Sequence, residues 1–154
     1  MAVVLADLLD EQHVTLELRA RTRDEALREI VATMTGEEKV RDSEAFLAEV
    51  IAREEKITTC VGHGVAFPHA RTDLVSEIVL GIGRSREFIP FCNGEDVNLI
   101  FLVGVPRRMV NDYLVCVGAL ARLVKVRRTR EALMKTESAA EFLELLRVGS
   151  LQLE

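Results

Sequence analysis

The sequence is short of aromatic rings and of positive charge. Among its 154 residues there is no tryptophan and one tyrosine, so few rings are available for stacking on nucleic-acid bases. Acidic residues outnumber basic residues by 25 to 20, which gives a net charge of −5 at pH 7. A nucleic-acid-binding domain normally carries a basic excess. The composition therefore predicts that nucleic acid is not a partner.

Long apolar runs and a secretion signal are also missing. Residues 97–105 form the longest apolar stretch, which includes Asn98 and is about half as long as a membrane-spanning helix. The apolar residues at the N-terminus follow no basic segment and are interrupted by Asp7, unlike those of a signal peptide. Cys60, Cys92 and Cys116 are odd in number and scattered, which is more typical of a reducing cytosol than of a disulfide framework. We therefore expect a cytoplasmic protein that does not span a membrane.

The balance of apolar and charged residues favours a folded chain. Apolar residues make up 49% of the sequence and charged residues 29%. Disordered chains combine low hydrophobicity with high net charge, and this composition has neither. The length is that of one ordinary domain, so we predict a single domain over residues 1–154.

Helix-capping signals mark the first half of the chain. Thr22 and Glu25 form a capping box in front of apolar residues that recur at helical spacing. Asp42 or Ser43 is predicted to begin a second helix, because both are good N-cap residues and an apolar stripe follows them.

Further helices are predicted in the second half. Asn111 is expected to cap a third helix, and Ser138 and Glu141 form a second capping box, with Gly149 as the C-cap of the last helix. The predicted buried face of the third helix consists of Leu114, Val117, Leu120, Ala121 and Val124.

Strand patterns separate these helices. Residues 14–18 alternate with period two, and residues 78–83 and 97–103 are continuous apolar runs typical of buried strands. Pro106 is expected to end the last of them. The order of elements predicts an α/β fold, with a mixed central sheet of about five strands and helices on both faces.

Residues 60–71 carry the residue types suited to chemistry, and they read CVGHGVAFPHAR. Glycines let a backbone approach an anion closely, and proline restricts the chain just before His69. Histidine is a competent nucleophile near neutral pH, because much of it is uncharged there. A structural role for His69 remains the alternative.

The same segment offers a second interpretation, a zinc site. Cys60, His63 and His69 have the spacing Cys-x2-His-x5-His, and Cys92 or Cys116 is available as a fourth ligand. Structural zinc sites usually show two clear ligand pairs, and only one is visible here. We therefore expect no metal.

Three groups of residues carry a resemblance to a known family. They are Arg53-Glu54, Thr58-Thr59 and the run from Gly62 to His69, GHGVAFPH. This pattern resembles the active-site segment of the enzyme IIA domains of the bacterial phosphoenolpyruvate-dependent phosphotransferase system, in the fructose/mannitol class that includes the nitrogen-regulatory IIA proteins. The resemblance extends over residues 94–106 and the helix that follows, and so covers nearly the whole chain.

The resemblance implies the fold of the mannitol-specific IIA domain and the activity of a phosphoryl carrier. His69 is the implied acceptor of a phosphoryl group from an HPr-like phosphocarrier, and Arg53 is the implied phosphate-stabilising residue. The group would pass to a IIB domain, or serve as a signal to a regulated transporter or kinase. No cofactor or metal is implied, and the oligomeric state is left open between a monomer and a homodimer.

Two further residues of the segment keep alternative roles. Thr59 is either a hydroxyl donor to the phosphate or to the imidazole, or a structural strand residue. His63 is either an accessory group near the phosphate or a surface turn residue.

The sequence departs from the family at the second active-site position. Many members have another histidine at the start of the helix after Val-Pro, but no histidine follows His69 here. Counting back from Leu123 places that position at Asp112, or at Asn111 with a different gap. A carboxylate there would repel a phosphoryl dianion, or would orient the ring of His69, or would only favour the helix dipole. A regulatory binding module with weak or lost phosphotransfer is therefore the alternative function.

Overall fold

A mixed β-sheet with helices on both faces forms the framework of the protein. The structure is a computed structural model that describes residues 2–152, and within them the sheet has six strands. In chain order the elements are β1 (Val14–Thr15), α1 (Arg23–Ala32), α2 (Ser43–Lys56), β2 (Cys60–Gly62), β3 (Val65–Ala66), β4 (His69–Arg71), β5 (Val79–Cys92), β6 (Glu95–Val105), α3 (Val110–Lys125), α4 (Arg127–Lys135) and α5 (Ala139–Gln152). Short 3-10 helices cover Leu5–Leu8, Glu11–His13 and Arg107–Met109. The predicted fold class is confirmed, with six strands in place of about five.

The strand β6 fixes the position of the candidate segment. The strand order is β1-β5-β6-β3-β2, so β6 lies in the middle of the sheet. Its partner on one edge is β5, which is antiparallel, and on the other edge β3 and β4 run parallel to it. His69 pairs with Val103 and Ala70 with Gly104. His69 therefore begins a short strand that is anchored on the centre of the sheet.

Each face of the sheet buries its own apolar cluster. Ile30 of α1 and Phe46 of α2 belong to one cluster, and Leu120 of α3 and Phe142 of α5 belong to the other. Gly104 allows α2 to pack closely on β6, because a Cβ atom there would lie 2.8 Å from the ring of Phe46. This close approach brings the C-terminal half of α2 next to β4, with which α2 is in contact.

The N-caps predicted for the first two helices are confirmed. The Thr22 hydroxyl accepts a hydrogen bond from the Glu25 N–H at 3.3 Å, and Asp42 accepts one from the Ala45 N–H at 3.1 Å. Both are local interactions that satisfy N–H groups left free in the first helical turn.

The buried face of α3 agrees with the prediction at Leu120 and Val124 and differs elsewhere. The helix begins at Val110 with no side-chain cap from Asn111, and Leu114 is 56% exposed. The residues that are buried are Cys116, Ala119, Leu120, Leu123 and Val124. They recur at positions i, i+3 and i+4, and so do the predicted residues. Both stripes are possible because α3 is apolar around most of its circumference. The pattern alone therefore did not determine which stripe faces the sheet.

Two element boundaries also differ. The first strand is limited to Val14–Thr15 rather than residues 14–18, and α5 continues through Gly149 to Gln152. The Ser138 hydroxyl does accept from the Glu141 N–H at 3.1 Å, as predicted for the start of α5. Within residues 2–152, no helix has both the length and the apolar character that crossing a membrane requires.

Candidate functional site

The turn between β2 and β3 separates the two histidines of the segment. Gly62, His63 and Gly64 all have positive φ angles, of 89°, 58° and 78°, which turn the chain sharply. The side chain of His63 is exposed and lines a cleft with Asn98 and Arg130 that does not include His69. The structure therefore does not bring His63 to the candidate acceptor.

The backbone on either side of Pro68 orients the His69 ring. The Nδ1 atom of His69 lies 3.1 Å from the carbonyl oxygen of Phe67. A carbonyl oxygen only accepts hydrogen bonds, so Nδ1 carries the proton and donates it. The lone pair of the neutral ring is then on Nε2. The sheet holds this arrangement, because the Pro68 carbonyl accepts from the Val103 N–H at 2.9 Å.

The surroundings of His69 favour its neutral form. Its pKa is lowered from 6.5, and partial burial of the ring is the largest cause. The hydrogen bond to Phe67 opposes this effect, the positive charge of Arg53 lowers the pKa further, and the charge of Glu54 raises it. A neutral imidazole with a free Nε2 lone pair is a nucleophile.

His69 lines a positively charged cleft of about 480 Å³. Its walls come from α2, β4 and the segment from the end of β6 to the first turns of α3. The basic residues of the cleft are Arg53, Lys56, Arg71 and Arg107. Among the residues that the structure describes, Glu49 is the one acidic residue that lines it, and its carboxylate accepts a hydrogen bond from the Thr72 hydroxyl at 3.0 Å. Four cations against one carboxylate make the cleft suitable for an anion.

Arg53 lies near the end of α2 and reaches the cleft from there. One of its terminal nitrogens donates to the Ile57 carbonyl at 2.9 Å, which ties the side chain to the end of the helix. A guanidinium has several N–H donors, so this bond leaves donors for an anion. The structure thus brings together the two residues that the sequence proposed as acceptor and phosphate partner, His69 and Arg53.

Thr59 is engaged with a buried carboxylate instead of with His69. Glu54 is 1% exposed, and it accepts from the Thr59 N–H at 2.8 Å and from the Thr59 hydroxyl at 2.7 Å. The Thr59 carbonyl accepts from the Phe67 N–H at 3.1 Å. Glu54 and Thr59 therefore support Phe67, whose carbonyl orients His69. The predicted donation by the Thr59 hydroxyl to the imidazole or to a phosphate is replaced by this structural role.

Asp112 does not line the cleft of His69, although the sequence count placed it at the second active-site position. One of its carboxylate oxygens accepts from the Val3 N–H at 3.2 Å and fastens the N-terminal segment to α3. The ring that packs against His69 belongs to Tyr113, at 5.3 Å between ring centroids and 38° between ring planes. A 3-10 turn at Arg107–Met109 precedes α3, and the residue that faces His69 is one position beyond the counted one.

Tyr113 is a cleft residue beside His69 that the sequence did not predict. Its pKa is raised above 10.0 because its hydroxyl is partly buried, and the positive charge of Arg53 acts in the opposite direction. The hydroxyl is therefore protonated at neutral pH. Two sequence features could have pointed to this residue: it is the single tyrosine of the chain, and it directly follows Asp112.

The cysteines differ from expectation. Cys60 and Cys92 form a disulfide, with Cα atoms 6.3 Å apart, which links β2 to the end of β5. Both sulfurs of this pair are therefore unavailable as thiolate ligands, and His63 and His69 lie in different clefts. The zinc set proposed from Cys60, His63 and His69 is not assembled in the described part of the chain. Cys116 is buried and unpaired, and burial raises its pKa to about 11.

Two other groups in the described part of the chain bring metal-binding residue types together. One consists of Cys60, Cys92 and Glu95, and its sulfurs are joined in the disulfide. In the other, ligand atoms of Asp10, His13 and Glu37 lie within 4.8 Å of one another. His13 is paired with Glu37 at 3.3 Å, and Asp10 accepts from the Gln12 N–H at 2.9 Å. These protein contacts account for the cluster as a histidine–carboxylate contact beside a helix cap.

Comparison with known proteins gives a consistent result. Residues 7–148 match the family model described as "Phosphoenolpyruvate-dependent sugar phosphotransferase system, EIIA 2". The PTS system fructose-specific EIIA component of Haloferax volcanii is 33% identical over 127 residues, which cover 81% of this chain and 82% of that protein. The PTS system fructose-specific EIIABC component of Bacillus subtilis is 23% identical over 144 residues, and these cover 92% of this chain but only 23% of that longer protein.

A solved structure agrees with these sequence relatives. The crystal structure of nitrogen regulatory protein IIA-Ntr from Neisseria meningitidis superimposes with a TM-score of 0.81 and 27% identity, over 92% of this chain and 97% of that one. The family match spans both the His69 segment and the helices that surround it. From its sequence and its fold, the chain belongs to the EIIA 2 family of the phosphoenolpyruvate-dependent sugar phosphotransferase system.

Proposed function

We propose that the protein is a phosphoryl carrier in which Nε2 of His69 accepts the phosphoryl group. The observation that carries this proposal is the hydrogen bond between His69 Nδ1 and the Phe67 carbonyl, in a cleft rich in basic side chains. It leaves the free lone pair on Nε2. Family membership supports the same conclusion.

The transfer step needs no net movement of protons. The donor is a phosphohistidine whose other ring nitrogen is protonated. Its N–P bond breaks while a bond forms between phosphorus and His69 Nε2, and the donor ring leaves as a neutral imidazole. The ring of His69 gains a positive charge, which the Phe67 carbonyl stabilises through the Nδ1–H bond.

Positive charge supplies the remaining stabilisation. Phosphoryl transfer depends mainly on positioning and on neutralising the charge of the phosphoryl oxygens. Arg53 is the proposed principal partner, since its fork of N–H donors matches a phosphoryl group. Arg107 also lines the cleft, although its Nε atom forms an ion pair with Oδ1 of Asp73 at 3.4 Å.

The proposed donor is an HPr-like phosphocarrier. The proposed recipients are a IIB domain, or a transporter or kinase that the phosphorylated and unphosphorylated forms regulate differently. Support for both uses comes from the relatives, which include a fructose-specific EIIA component and a nitrogen regulatory protein. Binding of a IIB domain and of a regulated kinase can be measured with the wild type and with His69→Asp. A partner that binds the two proteins differently makes a phosphorylation-dependent contact, and one that binds both equally makes a constitutive contact.

Intact-mass measurement tests the proposal. Incubation with phosphoenolpyruvate, enzyme I and HPr should add one acid-labile phosphoryl group to the wild type, and none to His69→Ala. His63→Asn is the matched control, because His63 lies in the same segment but outside the cleft and has a positive φ that asparagine tolerates. It should be labelled like the wild type. Labelling of His69→Ala, or failure to label the wild type with an active HPr, contradicts the proposal.

A further inference from the structure

The side chain of Tyr113 lies close to His69, the proposed acceptor, and its hydroxyl is available to bind a ligand. Its ring lies 5.3 Å from the ring of His69, and both side chains line the same cleft. Among residues 2–152, the Tyr113 hydroxyl takes part in no side-chain hydrogen bond, whereas His69 and Arg53 each have a backbone partner. A partly buried donor without a protein partner is available to a ligand.

A neutral hydrogen-bond donor is well suited to the position of Tyr113 in the cleft. A phosphoryl group on His69 carries negative oxygens, which a carboxylate would repel and a hydroxyl proton would attract. Burial raises the pKa of Tyr113, so the donor proton is retained at neutral pH. The neighbouring carboxylate, Asp112, is directed to the Val3 N–H and does not compete for the position.

We infer that Tyr113 is a phosphoryl-binding residue, whose hydroxyl donates a hydrogen bond to an oxygen of the phosphoryl group on Nε2 of His69. This inference rests on the proposed function, and it assigns a residue that touches the transferred group. The alternative is a purely structural role for Tyr113, in which only the packing of its ring against the ring of His69 matters.

The single tyrosine makes a direct test feasible. The chain has no tryptophan and no other tyrosine, so near-ultraviolet absorbance reports the ionisation of Tyr113 alone. A hydrogen bond from the phenol to the phosphoryl group, and the negative charge of that group, both oppose loss of the proton. Phosphorylation of His69 should therefore raise the pKa of Tyr113 by about one unit.

The titration uses a small phosphorylating reagent, so that it does not depend on any carrier protein. Potassium phosphoramidate is applied to a His63→Asn variant, which removes the exposed histidine, and labelling of His69 is verified by mass. A raised pKa of Tyr113 in the labelled protein is the expected result. An unchanged pKa in protein that is fully labelled on His69 overturns the inference while leaving the proposed function intact.

Variants at the same position give the second readout. Tyr113→Phe keeps the ring and removes the hydroxyl, so transfer from phosphorylated HPr should slow about tenfold, the effect of one hydrogen bond to a charged group. Tyr113→His restores a donor and should recover part of the rate, and Leu114→Ala, an exposed neighbour on α3, is the control. A Tyr113→Phe rate equal to wild type overturns the inference.

The outcomes also separate the inference from the proposed function. If phosphoramidate labels His69 and raises the pKa of Tyr113, but phosphorylated HPr transfers nothing, the carrier function fails and the contact stands. If neither reagent nor carrier labels His69, both are contradicted.

Discussion

At the scale of single residues, the environment of His69 determines its chemistry. The ring is held by one backbone carbonyl, faces Tyr113 and lies near Arg53. Partial burial and the charge of Arg53 keep the ring neutral, and the proton on Nδ1 leaves Nε2 as the nucleophilic atom. The site therefore depends on the charge and direction of a few side chains, each of which can be changed separately.

The first prediction concerns the pKa of His69. We expect the ring to titrate below 6.5, because burial and Arg53 both disfavour its protonated form. The neutral acceptor should therefore predominate at pH 6.5 and should be lost as the pH falls through the lowered pKa. Arg53→Gln removes one lowering influence, so the pKa should rise and the acceptor should be lost at a higher pH. NMR titration of the histidine ring protons measures both.

A distant arginine provides the control for this titration. Arg28 on α1 pairs with Glu44 at the surface, away from the cleft, so Arg28→Gln should leave the His69 titration unchanged. A wild-type pKa at or above 6.5, or an Arg53→Gln variant with an unchanged pKa, would contradict the account of the charge at the site.

The second prediction concerns the buried carboxylate beside Arg53. Glu54 accepts two hydrogen bonds from Thr59, and an amide can satisfy this pair of donors only in part. Glu54→Gln should lower the free energy of unfolding by about 2 kcal/mol in a urea titration. Glu55, the next residue on α2, is exposed, so Glu55→Gln should change it by less than about 0.5 kcal/mol. Equal effects of the two variants would show that the Glu54 bonds do not hold the segment.

At the scale of elements, the disulfide is the largest departure from the sequence analysis. It joins β2, which directly follows Thr59, to the end of β5, across 32 residues of chain. A link over a loop of this length limits the unfolded chain more than the folded one. It thereby strengthens the attachment of the active segment to the sheet.

The third prediction is that this link stabilises the fold. Cys92→Ser should lower the free energy of unfolding by roughly 3.5 kcal/mol relative to the oxidised wild type. A dithiol reductant should reproduce that loss in the wild type and should have no further effect on Cys92→Ser. A wild type whose stability does not respond to reductant would contradict the role given to the disulfide.

Local signals were sufficient for some elements and not for others. The caps at Thr22 and Asp42 were predictable, because a capping bond involves residues two or three positions apart. The cysteine pair was not, because it depends on how the start of β2 meets the end of β5, across 32 residues of chain. Tyr113 was missed by one position, because a count along the sequence does not fix how α3 is rotated about its own axis.

At the scale of the whole molecule, the net charge of the chain and the charge around His69 have opposite signs. The chain has a net charge of −5, yet Arg53, Lys56, Arg71 and Arg107 gather around His69 from separate elements. The fold therefore concentrates positive charge that the composition does not reveal. The motif at residues 62–69 pointed to His69 as the proposed acceptor, but the surrounding cations depend on how α2, β4 and the end of β6 meet.

The most direct measurement identifies the atom that carries the phosphoryl group. The protein is labelled through phosphorylated HPr with isotope-enriched histidine, and NMR correlates phosphorus with the ring nitrogens. The account predicts a single phosphoryl group on Nε2 of His69, because Nδ1 is committed to the Phe67 carbonyl. Phosphorus bound to Nδ1 of His69, or to any other residue, would contradict it.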